Sequence, residues 1–220
     1  MKSLYFLVVT CLLFVTTTSA QRNYNDSYNR IGLQGGLTIF DIKTDNFNTN
    51  SAEGFKAGFT TRGAFYNNFD LIYGLNFYDL NVNIKARETV ASQERDVEFG
   101  IFGVQLNLLA SYNIIGQHLS IEAGPALLIN SKLTTNEQYE NYIIDGYTTL
   151  TAKEIEDISK INGVAIVGLT GGFENVRLWA QYQYGFTNIL NGLNDENLTE
   201  TTEDFKGNLS LIAVGVVFYL

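Results

Sequence analysis

The 220-residue chain contains one cysteine, one histidine, one methionine, one proline and one tryptophan. So little cysteine and histidine leaves almost no soft-metal or thiol chemistry, and neither a metal nor a cofactor is expected. A single proline argues against a disordered or proline-rich linker chain. Charged residues are also scarce, at 17%, and acidic ones outnumber basic ones 23 to 14. That balance excludes a nucleic-acid binder working through a general positive surface. Beyond the N-terminus there is no run of apolar residues long enough for a membrane-crossing helix, which needs about 18 to 20.

The first residues read as an export address. Lys2 precedes an apolar run from Leu4 to Val15, then a small-residue stretch ending at Ala20. This is the layout of a secretory signal, too short to span a bilayer. Acylation at Cys11 is a competing reading, disfavoured because the apolar run continues past it. The expected organisation is a signal at 1–20, a short periplasmic segment at 21–29 and one barrel domain at 30–220. Cleavage would remove the only cysteine, so stability must come from sheet closure, burial or a membrane.

What is present in quantity is glycine (20) and tyrosine plus phenylalanine (13 and 15), set in period-two alternation. Ile212, Val214, Val216, Phe218 and Leu220 hold one face without interruption. Phe69, Leu71, Tyr73, Leu75 and Phe77 oppose Asp70, Gly74 and Asn76. Phe102, Val104, Leu106, Leu108 and Tyr112 oppose Gly103, Gln105, Asn107 and Ser111. Similar segments cover 30–41, 54–66, 119–133 and 176–187, while 163–173 is apolar or Gly on both faces. The pattern predicts eight strands of roughly 11 to 15 residues with two unlike faces. Their connections alternate long (42–53, 84–97, 134–162, 188–207) and short (67–68, 113–118, 174–175).

Such alternation predicts an all-β fold: an eight-stranded antiparallel up-and-down transmembrane β-barrel with short periplasmic turns and long extracellular loops. A lipid-spanning sheet must close to satisfy its backbone, and eight strands leave a lumen that side chains can fill. A soluble barrel would carry its charge on the outside, whereas here the apolar face has almost none. Phe69, Tyr112, Tyr182, Tyr184, Phe186, Phe218 and Tyr219 fall near strand ends, as interfacial girdles require.

The stretch from Ile161 to Phe173, Gly-rich, followed by the aromatic run from Val176 to Ile189, resembles the C-terminal strands of PorT-type outer-membrane β-barrel proteins. Gly32 to Leu37, Gly54 to Phe59 and Glu122-Ala-Gly-Pro125 are similar to that family's other Gly-centred strands. Gln181 stands where the family commonly has Arg, and Leu220 replaces a terminal aromatic. The resemblance implies an outer-membrane location but no single activity. The family's namesake is a secretion-system component, and most members are simply barrels.

Three residue sets bear on function. His118, Ser120 and Glu122 share one strand face, an arrangement that resembles outer-membrane lipid deacylases. It sits at the periplasmic rim, and a polar rim with a lumen carboxylate is the simpler reading. Lys56, Arg62, Asp70, Glu122 and Arg177 point inward and are expected to pair as a charge network, since unpaired lumen charge is costly. Tyr139, Tyr142 and Tyr147, with Ile143 and Ile144, form an apolar cluster in the longest loop. It is either a partner patch, a hairpin extending the barrel, or the neighbour of a short helix over 152–159. Asp195, Glu196, Glu203 and Asp204 could hold a cation or a basic partner, or simply be solvated. The expected function is non-enzymatic: a structural or interaction role at the envelope, as an accessory to secretion or assembly. A small ion pore and a lipid-modifying enzyme are the alternatives. Outer-membrane lipid or lipopolysaccharide, and an envelope or secretion-system protein, are the expected partners.

Overall fold

The computed structural model describes residues 28–196, 198, 200 and 204–220. The predicted signal, residues 21–27 and Glu203 lie outside them. In chain order the strands are β1 (Asn29–Thr44), β2 (Thr49–Tyr66), β3 (Phe69–Arg87), β4 (Arg95–Ile115), β5 (Leu119–Asn130), the two-residue β6 (Ile143–Ile144), β7 (Ile161–Gly172), β8 (Val176–Gly185) and β9 (Gly207–Tyr219). Each long strand pairs antiparallel with the next. β1 pairs with β9 from Gly32↔Tyr219 to Thr44↔Gly207, closing an eight-stranded ring. β6 lies outside the ring, hooked to the end of β3 through Ala86↔Ile144.

The tight connections, 67–68, 116–118 and 173–175, all lie at one end, the periplasmic end of such barrels. Asn67 supplies the left-handed φ of 50° that the first of them needs, a conformation Asn tolerates. At the other end two of the four expected long loops are strand instead. β1 and β2 stay in register up to Phe40↔Ala52, leaving only 45–48 between them, and β3 and β4 pair as far as Ala86↔Arg95. Residues 131–160 and 186–206 remain long, with short 3-10 turns at Glu137–Tyr139 and Ile189–Asp195. No helix forms over 152–159. β4 has 21 residues, longer than expected. At about 3.4 Å per residue and a tilt near 40° it climbs roughly 50 Å, twice the apolar band of an outer membrane.

The reason for the extra length is a change of solvent along each strand. In the lower part the large apolar residues face outward: Leu37 is 70% exposed and Leu178 68%, with Phe59, Tyr73, Leu106, Leu169 and Val214 beside them. Polar side chains fill the interior, among them Thr60, Asn76, Gln105 and Gln183. Above the belt the parity reverses. On β3 the outward series Phe69 to Phe77 gives way to Asp79, Asn81, Asn83 and Lys85, while Tyr78, Leu80, Val82, Ile84 and Ala86 turn inward and are buried. β4 does the same, with Val97, Phe99 and Ile101 inside. The upper interior is thus a hydrophobic core of the kind found in water-soluble proteins. The two long loops complete it with Leu133, Ile144, Leu150, Ile155, Leu190, Leu193 and Phe205. The two undecided faces of β7 also resolve: Asn162, Val164, Ile166 and Thr170 point inward, Val167 and Leu169 outward.

Candidate functional site

The strand register assembles a polar lock inside the lower barrel. Asp70 on β3 lies beside Ser111 on β4, and Ser111 beside Glu122 on β5, so three polar inward positions form one lateral row. Arg62 on β2 reaches across this row. Its guanidinium donates to Asp70 Oδ2 at 2.9 Å, to Ser111 Oγ at 2.9 Å, to Glu122 Oε1, and to the Tyr219 hydroxyl at 3.4 Å. Arg62, Asp70 and Glu122 are 1%, 2% and 3% exposed. Asp70 Oδ2 accepts further bonds from Tyr28 (2.5 Å) and Asn113 (3.1 Å). A guanidinium bridging two buried carboxylates with neutral donors on the spare lone pairs is the arrangement that makes buried charge tolerable.

Lys56 and Arg177 point into the same lumen but pair differently from the expectation. Lys56 Nζ donates to Gln181 Oε1 at 3.1 Å and sits 4.5 Å over the Trp179 ring. Arg177 donates to the Gln117 carbonyl, to Ser120 Oγ and to the Thr170 carbonyl. Among the described residues, the lumen ion pairs are Arg62 with Asp70 and Arg62 with Glu122. Sequence reasoning placed all five charges in one network; the structure ion-pairs three of them, links Arg177 to Asp70 through Ser120 and Asn113, and leaves Lys56 apart on Gln181 and Trp179. The reason is reach: Arg62 alone spans the row that holds both carboxylates.

Trp179, which sequence reasoning passed over, fills the lumen beside Lys56. Its six-membered ring lies against Gly36 and Gly215, where an added Cβ would stand 2.8 Å and 2.5 Å from ring carbons. The paired glycines are the signal for it: Gly36↔Gly215 is one register pair, opposite Trp179 across β9. Above Trp179, Gln105 donates to Gln183, and Gln183 donates to the Tyr78 hydroxyl, both near 3 Å. Leu80, Leu128, Leu209 and Leu211 then shut the lumen. Between lock and core the lumen keeps a cavity of about 20 Å³. Closed ring, greasy belt and packed polar interior together decide the setting.

The chain is built as an outer-membrane β-barrel.

No family model matches the chain, and no curated protein matches it. Among solved structures it is similar to Neisserial surface protein A at 12% identity, covering 86% of this chain and 96% of that one with a TM-score of 0.48. It is similar also to Ail, the attachment invasion locus protein of Yersinia pestis, at 13% identity, 87% and 99% coverage and a TM-score of 0.47. A third is the outer membrane protein OprG from Pseudomonas aeruginosa, at 11% identity, 88% and 97% coverage and a TM-score of 0.47. These likenesses are distant, and the belt and the closed ring carry the assignment.

The barrel disposes of the remaining candidates as follows. The Ser120 hydroxyl donates to Asn113 Oδ1 at 2.7 Å, while exposed His118 bonds the Gly172 carbonyl through Nδ1. His118 and Ser120 therefore bond other groups and not each other. Tyr139, Tyr142 and Tyr147 are half-buried against the upper core, Tyr147 stacking near Phe47 and Phe205, so the loop cluster is packed inward instead of forming an open patch. Tyr219 likewise turns to the lumen and leaves the aromatic girdle to its neighbour Phe218. Asp195, Glu196 and Asp204 are exposed. Among the described residues no three acidic, His or Cys side chains gather into a metal-binding group.

One acidic loop residue does find a seat. The Glu200 carboxylate accepts from the backbone N–H groups of Thr148, Thr149 and Leu150 and from both threonine hydroxyls. The Thr148 and Thr149 hydroxyls, with their N–H groups, pull its pKa down to about 2. The clasp ties the 186–206 loop to the 131–160 loop over the core they share.

Proposed function

We propose that the barrel is a non-enzymatic surface scaffold, a sealed membrane anchor that presents a folded extracellular cap to a protein partner of the envelope. The observation that carries this reading is the interior: an ion-paired lock below and a continuous hydrophobic core above fill the lumen. A barrel meant for passage would keep an open lumen. The strands of β1 to β4 instead continue well past the belt with a water-facing polar exterior, which supports a role for what they hold up. The resemblance of the Gly-rich and aromatic strands to PorT-type barrels favours an accessory role in secretion or envelope assembly.

The test is site-specific photocrosslinking in cells from exposed cap positions such as Gln138 and Glu196. A reproducible envelope protein adduct is expected. Recovery of lipopolysaccharide alone would overturn the scaffold reading. Purified barrel in planar bilayers is expected to pass no sustained current, and regular single-channel steps would favour a small pore. Loss of lipid turnover in a His118→Ala variant would favour an enzyme.

A further inference from the structure

We propose that two copies of this chain pair side by side in the membrane through the lipid face of β2 to β4, with Thr61 and Tyr73 at the centre of the contact. The inference goes beyond the scaffold reading and does not rest on it. A groove of about 700 Å³ runs along the outer wall of the belt, flanked by Phe59, Tyr73, Leu75, Leu106, Leu108 and Leu127. A second depression, of about 350 Å³, continues it toward the periplasmic rim past Ile31 and Thr61. In lipid the groove by itself selects no occupant, because an acyl chain and an apolar side chain fill it about equally well.

Two hydroxyls in the groove decide the matter. Thr61 and Tyr73 face outward and are partners in the strand register. Tyr73 is the middle member of the outward series Phe69, Leu71, Tyr73, Leu75 and Phe77. Both residues therefore stand near mid-depth of an apolar band about 25 Å tall. Neither hydroxyl has a hydrogen-bond partner among the described residues. The outward tyrosines Tyr66, Tyr112, Tyr182 and Tyr184 lie instead toward the ends of the belt, where interfacial hydroxyls meet headgroups and water. A hydroxyl left unbonded in hydrocarbon is costly.

Phospholipid carries its polar groups at the two interfaces and offers no partner at mid-depth. Another spanning protein does. A copy turned about a two-fold axis along the membrane normal brings the same two hydroxyls to the same depth, and each of them can both donate and accept. A different protein would need a polar side chain at a matching height. Groove and aromatic wall share one surface, so the same axis sets each wall against the other copy's groove. Glu53 and Asp79 stand outward on these strands just above the belt and would repel their counterparts if they met. The strand tilt keeps them apart: roughly 20 Å of β3 from Tyr73 to Asp79 moves about 13 Å sideways at a tilt near 40°, beyond the screening length of about 8 Å.

The chain's one cysteine lies in the predicted signal, so an introduced cysteine reports a single position. Phe59→Cys, Leu75→Cys and, on the opposite wall, Val167→Cys are refolded into phosphatidylcholine vesicles and oxidised. A disulfide-linked dimer is expected at Phe59→Cys or Leu75→Cys and not at Val167→Cys. Equal linkage at all three, or none in the groove, would overturn the proposal. As a second measurement, energy transfer between copies labelled on the cap at Gln138→Cys is followed as lipid dilutes the protein. The double variant Thr61→Val/Tyr73→Phe nearly keeps shape and removes only the hydroxyls, and its heat-dependent gel shift reports that the barrel still closes. Its dissociation constant should rise about three- to thirtyfold. An unchanged constant, or monomers at every dilution of the unaltered barrel, would sink the idea. Neither result bears on the scaffold reading, which the crosslinking from the cap and the conductance measurements address separately.

Discussion

Removing the Arg62 guanidinium is the sharpest test of the lock. In Arg62→Met the volume is largely kept, but Asp70 and Glu122 stay buried without their cation. Asp70 retains donors in Tyr28 and Asn113, whereas Glu122 loses the partner that bonds it. Stranding a buried charge in this way costs about 3–5 kcal/mol, a drop of two to four orders of magnitude in the folding constant. The assay is urea unfolding of the barrel in phospholipid vesicles, read by Trp179 emission, since this is the chain's one tryptophan. The companion variant Arg62→Met/Asp70→Asn/Glu122→Gln removes the charges together. It should recover most of the loss, because neutral groups of the same shape carry little desolvation penalty. A loss below about 1 kcal/mol in Arg62→Met, or a triple variant no better than the single, would refute the claim that the lock is an electrostatic unit.

Gly215→Ala should destabilise by about 1–3 kcal/mol or more, since the new Cβ would stand 2.2 Å from the Gly35 carbonyl oxygen and 2.5 Å from the Trp179 ring; a shifted urea midpoint with altered Trp179 emission checks it. Leu108→Arg puts a charge on the lipid face and should cost about 2–4 kcal/mol, whereas Asn83→Arg, outward but above the belt, should stay within about 0.5 kcal/mol. Equal penalties in vesicles would refute the change of solvent between those positions. For Glu200 the folded pKa, about 2, lies below the ordinary 4.5. Its clasp therefore contributes fully above the ordinary value and is lost as pH falls from there through about 2. Hydrogen exchange at Thr148, Thr149 and Leu150 should speed up in Glu200→Ala at pH 7, and in the unaltered barrel only on acidification, after correction for intrinsic rates.

The lower barrel was legible because a membrane barrel writes two unlike faces at period two, and Phe69 to Phe77 against Asp70 to Asn76 shows both. The upper barrel was misread for a reason that is itself visible in the residues. Alternation does not stop at Phe77; it continues as Tyr78, Leu80, Val82, Ile84 and Ala86, one position out of phase. Ile39–Phe40 and Ile101–Phe102 are the same slip, two adjacent apolar residues marking where the outside changes from lipid to water. Following one parity only, such stretches look like loops. At the site, inward charge was readable from parity, but which charges meet was not. Arg62 reaches Asp70 and Glu122 because cross-strand register stacks β3, β4 and β5 in a row, and register between strands is absent from any single strand's pattern.

The phase slip also accounts for the two kinds of filling. In the belt, the outside is already hydrocarbon, so moving an apolar side chain from lipid to lumen gains almost nothing. Apolar residues there are best left outside, and the lumen is held by hydrogen bonds and ion pairs whose geometry fixes one register. Above the belt the outside is water, and burial of Phe40, Phe99, Leu190 or Phe205 contributes on the order of 1.5–3 kcal/mol per side chain. The cap therefore folds by the hydrophobic effect while the belt folds by partition into lipid. A weakened upper core, as in Leu190→Ala at about 2–5 kcal/mol, should open the cap and leave the belt closed. The variant should keep its heat-dependent shift on a detergent gel while protease cuts within 131–160. Loss of both together would mean that lock and core are one cooperative unit, and that the change of solvent does not divide the barrel energetically.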